Sequence, residues 1–156
     1  MDTEPYLSIL HHILVIQLNP ITPGIIVGFI SIFVLLIGSA LVSGSEVAYF
    51  SLQPFQVGKL REMNTKGTIK VMSLLGKPEK LLATILISNN FINVGIVIIS
   101  TFITTSIFDF SEEPVLAFLI QVVVVTFLLL VFGEIIPKLY ANQNALRFSI
   151  FMSHTL

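Results

Sequence analysis

Apolar residues in this chain gather into three long runs, and the polar residues collect between them. The first run is Gly24 to Ser43, "GIIVGFISIFVLLIGSALVS". Twenty helical residues cover about 30 Å, the thickness of a bilayer's hydrocarbon core. Thr22 suits the N-cap of this helix and Pro23 its first position. The second run, Leu81 to Phe108, is longer than a span needs and is interrupted by "SNNFINVG" at 88–95. The third is Val115 to Phe132, "VLAFLIQVVVVTFLLLVF". Ser111 before Glu112, Glu113 and Pro114 reads as a cap followed by an acidic first turn, favourable at a helix's positive end. The β-branched stretch Val122 to Thr126 would suit a strand in a soluble protein, but the apolar length and polar flanks favour a membrane helix. Between runs one and two, "VAYFSLQPFQVGKLREM" and "GTIKVMSLLGKPEKLL" mix apolar residues with cations. They predict short amphipathic helices at a membrane interface over about 47–79, with a turn near "MNTKG" and Pro54 bending or bounding the first.

Composition agrees with that pattern. The 156 residues are 54% hydrophobic and 11% charged, where a soluble domain carries about 25% charge. A formal net charge of -1 gives no reason to expect nucleic-acid binding. With no cysteine, disulfides and thiolate metal sites are excluded. The opening "MDTEPYLSILHH" lacks the basic start of a secretory signal peptide, so the internal spans must provide membrane entry. The predicted fold class is an all-α integral membrane protein with three transmembrane helices and an inner juxtamembrane amphipathic belt. The lipid bilayer is then the chain's first partner.

The cations orient it. Lys59, Arg61, Lys66, Lys70, Lys77 and Lys80 lie between spans one and two, and Lys138 and Arg147 follow span three. The N-terminal stretch and the loop Asp109 to Pro114 have none. The positive-inside rule then puts the N-terminus outside and the C-terminus in the cytoplasm. The expected organisation is an outer segment over 1–22 and one membrane domain over 23–156, whose C-terminal juxtamembrane part begins at 133. The last residues, "RFSIFMSHTL", stop within an apolar stretch with no helix-stop signal, which suggests a piece of a longer protein.

Polar groups at membrane depth carry the candidate chemistry, because an unsatisfied one in lipid costs several kcal/mol. Asn89 and Asn93 are at i,i+4 and Asn90 and Asn93 at i,i+3, so all three can lie to one side, with Thr84 and Ser88 extending the stripe. In "SGSE", Ser43 and Ser45 flank Gly44 and Glu46 follows; unwinding at Gly44 would free backbone carbonyls. In "GEIIPK", Pro137 cannot donate to the carbonyl of Gly133 four residues earlier, which leaves that oxygen free beside Glu134. Thr101, Thr104, Thr105 and Ser106 read as structural hydroxyls bonded to their own backbone.

Hydroxyls, amide oxygens, freed carbonyls and one or two carboxylates form an all-oxygen set that suits Mg²⁺, Ca²⁺ or Na⁺. The histidines, at 11, 12 and 154, lie outside the spans and argue against zinc or copper there. Each feature also has a plainer reading. A lone membrane asparagine is commonly inter-helix glue worth about 0.6 to 2 kcal/mol. Glu46 could pair with an interfacial lysine, and Glu134 with Lys138 at i,i+4. Gly24 and Gly28 form a common GxxxG packing motif. The lysine-rich loop reads most simply as the positive-inside signal. No nucleophile with a neighbouring base is evident, so an enzyme is not expected.

Together, "SGSEVAYFSL", "LLATILISNNFINVG" and "FGEIIPKLYA" resemble the transmembrane domain of the CorC/CNNM (cyclin M) family, long labelled hemolysin-like, and the resemblance runs from about Ile25 to Arg147. It implies a homodimeric bacterial inner-membrane protein that exports Mg²⁺ driven by Na⁺. ATP-binding cytoplasmic CBS domains, absent from this chain, would follow. It implies a Mg²⁺ site at Ser43, Asn90, Asn93 and Glu134, with Ser45, Glu46, Asn89 and Gly133 close by in the motifs. The alternative function is a membrane scaffold or interaction module of a larger envelope machine, such as a gliding-motility member of the same family.

Overall fold

A computed structural model describes residues 20–107 and 114–156. The expected outer segment up to residue 19, the end of span two at Phe108 and the Ser111–Glu113 cap lie outside the described residues. Among the described residues the chain is all-α. Helix α1 is Pro23–Phe50, α2 Pro54–Met63, α3 Lys66–Leu75 and α4 Pro78–Ile107. Helix α5, Pro114–Leu128, continues through a π-helical segment, Leu129–Ile135, into α6, Ile136–Gln143. Helix α7 is Ala145–Met152. Three stretches are long and apolar enough to cross a membrane: Pro23–Phe50, Pro78–Ile107 and Phe118–Gln143. Most of their large apolar side chains, Phe29, Phe33, Ile87, Phe91 and Phe127 among them, are exposed, as lipid-facing residues must be.

Local chemistry sets the ends. Pro23 opens α1 after an extended Thr22, although the Thr22 side chain makes no capping bond. Pro54 does not bend a helix but begins α2, where its missing N–H costs nothing, and Gln53 and Gln56 form a reciprocal capping box. The chain turns at Asn64, which takes the left-handed conformation (φ 41°) that asparagine tolerates. Thr65 then caps α3 by accepting from the Thr68 N–H at 3.3 Å.

The first span runs straight through Gly44 to Phe50, and no described glycine has a positive φ. The expected unwinding at "SGSE" does not occur. Gly44 serves packing instead: a methyl group there would lie 2.7 Å from Phe148 Cζ and 3.4 Å from the carbonyl oxygen of Pro137. Its bare face lets α7 and α6 close on α1. Gly28 works likewise against α4, since a methyl there would come within 2.9 Å of Ile103 Cγ1. Gly24 has only loose neighbours, so the GxxxG pair contributes through one member.

The main buried cluster sits where the span ends meet the short helices. Tyr49, Leu60, Val71, Leu81, Ile85 and Met152 form it, joining α1, α2, α3, α4 and α7. Tyr49 also donates its hydroxyl to the Ser149 carbonyl at 3.0 Å, fastening α7 to the end of α1.

Two stability effects follow. Gly44→Val should cost about 1–3 kcal/mol by overpacking against Phe148 and Pro137, read as a lower unfolding temperature in detergent. Tyr49→Phe should cost about 1 kcal/mol, since one hydrogen bond between helices is lost while the Ser149 carbonyl keeps the Ser153 N–H; an unchanged unfolding temperature would show that this fastening contributes nothing.

Candidate functional site

The three spans meet at Ser39. This side chain is fully buried on α1. Its hydroxyl lies 3.2 Å from Asn89 Oδ1 and 3.0 Å from Asn93 Oδ1, both on α4. On the third span, Gly133 closes the group, for a methyl placed there would sit 3.0 Å from Ser39 Oγ. Ser39 has one proton to donate and two amide oxygens in reach. It can satisfy only one of them at a time.

Helical phase decides which asparagines take part. Residues four apart share a stripe, so Asn89 and Asn93 face α1 together, and both are half-buried. Asn90 is exposed and outside the bonded set. The three amides thus do not lie to one side: the pair meeting span one is Asn89 with Asn93, not Asn90 with Asn93. Ser88 is half-buried, whereas Thr84 is exposed and donates to the Lys80 carbonyl at 2.9 Å. Ser39 was not singled out from sequence. The signal was its i,i+4 spacing from Ser43, which places both hydroxyls on the stripe that faces the other spans.

Ser43 lies one turn further along α1. It is fully buried, and its Oγ has no hydrogen-bond partner among the described residues. Several helix hydroxyls among the described residues bond backward to their own backbone. Ser31 donates to the Val27 carbonyl at 2.8 Å, Ser45 to that of Leu41 at 2.7 Å and Thr101 to that of Val97 at 2.9 Å. Ser45 is thereby occupied, while Ser43 is left with unused oxygen lone pairs. Thr105 also bonds its own helix, to Thr101 and Phe102, and Gln121 on α5 donates to the Thr101 hydroxyl.

The third span contributes a widened turn. From Leu129 to Ile135 the helix is π, and the Ile136 N–H bonds to the Val131 carbonyl, five residues back. In that register Pro137 is the position that would serve the carbonyl of Phe132, and it has no N–H. The sequence expectation named Gly133 because it assumed α spacing. The π register moves the interruption one residue earlier and explains why the π segment stops here. Such segments frequently mark functional sites. Gly133 and Glu134 both lie inside it.

The widened turn also alters charge pairing. Lys138 does not pair with Glu134 but with Glu46 across the spans, Nζ to Oε2 at 3.1 Å. An i,i+4 pair is adjacent only on a regular α-helix, and the π turn shifts Glu134 out of phase. The Glu46–Lys138 pair is partly exposed, with side chains 40% and 36% accessible, so it contributes at most about 1 kcal/mol. Glu134 is half-buried, with no ion-pair partner among the described residues. No cluster of three His, Cys, Asp or Glu occurs among those residues. Any ion held here would be held mainly by neutral oxygens.

Residues 30–156 match the cyclin M transmembrane N-terminal domain family. A UPF0053 protein of Haemophilus influenzae is 38% identical over 128 residues, covering 82% of this chain and 29% of that protein. The UPF0053 inner membrane protein YfjD of Escherichia coli is 29% identical over 103 residues, covering 66% of this chain and 23% of YfjD. A UPF0053 protein of Synechocystis is 29% identical over 129 residues, covering 79% of this chain and 34% of the relative. The chain thus spans about a third or less of the length of the curated relatives it matches. With three apolar helices long enough to cross a bilayer and a family match over most of its length, this chain is a multi-pass membrane domain and belongs to the cyclin M (CNNM) transmembrane domain family.

Proposed function

We propose that this domain carries a divalent cation, Mg²⁺, across the bacterial inner membrane as the membrane part of an exporter driven by Na⁺. The observation that carries this reading is the buried hydroxyl of Ser43, without a partner among the described residues, one helical turn from the Ser39 hydroxyl and the amide oxygens of Asn89 and Asn93. A buried polar atom without a partner is costly unless something binds it. Hard cations bind oxygen, and Mg²⁺ retains water readily, so it suits a site with few carboxylates.

In this reading Ser43, Asn93 and Glu134 hold the ion, and Ser39, Asn89 and Gly133 shape the space around it. Glu134 supplies the full negative charge, which no described cation neutralises. Ser45 and Glu46 are already engaged, by the Leu41 carbonyl and by Lys138. Asn90 enters through the family resemblance and not through this geometry. The π turn gives the third span a second available packing, since reverting to α spacing would rotate Gly133 and Glu134 relative to Ser39. Alternating exposure of the ion to the two sides can use that change.

The family resemblance also supports a homodimer and regulation by cytoplasmic CBS domains in a longer protein. The cation distribution supports an outside N-terminus and a cytoplasmic C-terminus. The likeness to the E. coli inner membrane protein YfjD supports the inner membrane.

Ser43→Ala separates a binding role from a structural one. The hydroxyl makes no bond, so its removal should leave metal-free stability unchanged or slightly raised, while Mg²⁺ efflux from loaded liposomes is lost. A Ser43→Ala protein with full efflux would remove this residue from the site. Mg²⁺ should also stabilise the folded domain, by about 1.4 kcal/mol at ten times its dissociation constant, and Glu134→Gln should abolish that gain. An unfolding temperature unmoved by millimolar MgCl₂ in the unsubstituted, folded protein would instead point to a membrane scaffold.

A further inference from the structure

The hairpin of α2 and α3, together with the linker into α4 and the first turn of α4, is not consumed by the cation site. It carries six of the chain's eight cations, Lys59, Arg61, Lys66, Lys70, Lys77 and Lys80, against two carboxylates, Glu62 and Glu79. All six cations are exposed, and none makes an ion pair among the described residues. The inner face of the hairpin is fastened, because Leu60 and Val71 are buried with Tyr49, Leu81 and Ile85 at the ends of spans one and two. The hairpin therefore lies at the level where those spans leave the hydrocarbon.

Its outer face mixes two kinds of group. Phe55, Met63 and Ile69 are 68%, 45% and 55% exposed. Helical spacing puts Phe55 on the stripe of Lys59, four residues on, and Ile69 beside Lys66, three residues back. A topology signal requires cations but no exposed phenylalanine beside them. A docking site for a water-soluble acidic partner does not explain why the face lies in the plane where the spans end. Cations flanking apolar side chains at that depth match a leaflet whose phosphates bind the lysines while its acyl boundary takes the apolar groups.

We propose that the α2–α3 hairpin is a docking surface for anionic phospholipid headgroups, with Lys59, Lys66 and Lys70 binding phosphate and Phe55 and Ile69 entering the acyl boundary. The surface selects anionic over zwitterionic lipid at the protein's edge and holds the hairpin flat against the span ends. This assignment does not depend on the ion the domain carries.

The test measures the relative association of spin-labelled phosphatidylglycerol and phosphatidylcholine with the chain reconstituted in phosphatidylcholine bilayers. The unsubstituted protein should prefer phosphatidylglycerol, and the preference should fall in high salt. Replacing Lys59, Lys66 and Lys70 by Gln should reduce it by up to about fivefold per lysine removed. Arg147→Gln, which removes an exposed cation on α7 that is not part of the hairpin, should leave most of it intact. Equal association of the two lipids, or an unchanged preference in the triple variant, would overturn the proposal. Loss of the preference on adding millimolar inorganic phosphate at constant ionic strength would also overturn it, by assigning the surface to soluble anions. Retained helicity by circular dichroism, checked alongside, confirms that the triple variant reports binding and not unfolding.

Discussion

The structure turns on one buried hydroxyl shared between two amide oxygens. Within a bilayer, every polar group must find its partner in the protein or in something the protein holds. At Ser39 a single hydroxyl proton faces two amide oxygens from the second span, and the third span closes in through a glycine that offers no side chain. One turn away the buried Ser43 hydroxyl has no partner among the described residues. The Ser39 contact joins all three apolar helices at one level.

The rest of the fold holds that centre in place. The bare face of Gly44 allows α6 and α7 to lie against the first span, and the Tyr49 hydroxyl holds α7 there. The pair between Glu46 and Lys138 bridges the first and third spans just beyond the cluster. Lys138 is taken by Glu46, and the half-buried Glu134 has no ion-pair partner among the described residues. The π turn links these facts, since it sets the phase of Gly133 and Glu134 and ends where Pro137 withholds an N–H.

Much of this was legible along the chain. Spans, amphipathic helices and the turn at Asn64 follow from hydropathy, periodicity and local backbone preference, which act over a few neighbouring residues. The observed helices are longer than the apolar runs because helix formation continues into polar flanks once packing supports it. The polar motifs "SGSE", "SNNFINVG" and "GEIIPK" stood out for the same reason: amides and carboxylates are costly near lipid wherever they occur. The errors were errors of phase and distance. Gly44 was read as a point of unwinding, although its missing side chain serves a close approach by Phe148 from a hundred residues away. Ser39 passed without notice because a serine in a membrane helix ordinarily bonds its own backbone.

By itself, the sequence determined that this chain is an all-α membrane domain, where its spans lie and which short motifs place polar groups beside lipid, because the cost of burying polar groups in lipid is paid residue by residue. Only the tertiary structure decided that Asn89 rather than Asn90 stands beside Asn93, that Lys138 meets Glu46 rather than Glu134, and that Ser43 is left unpartnered. Those outcomes depend on the rotation of each helix about its axis and on the π turn in the third span. A rotation of one residue, about 100° on an α-helix, changes which side chain faces the centre without changing the hydropathy of the span at all.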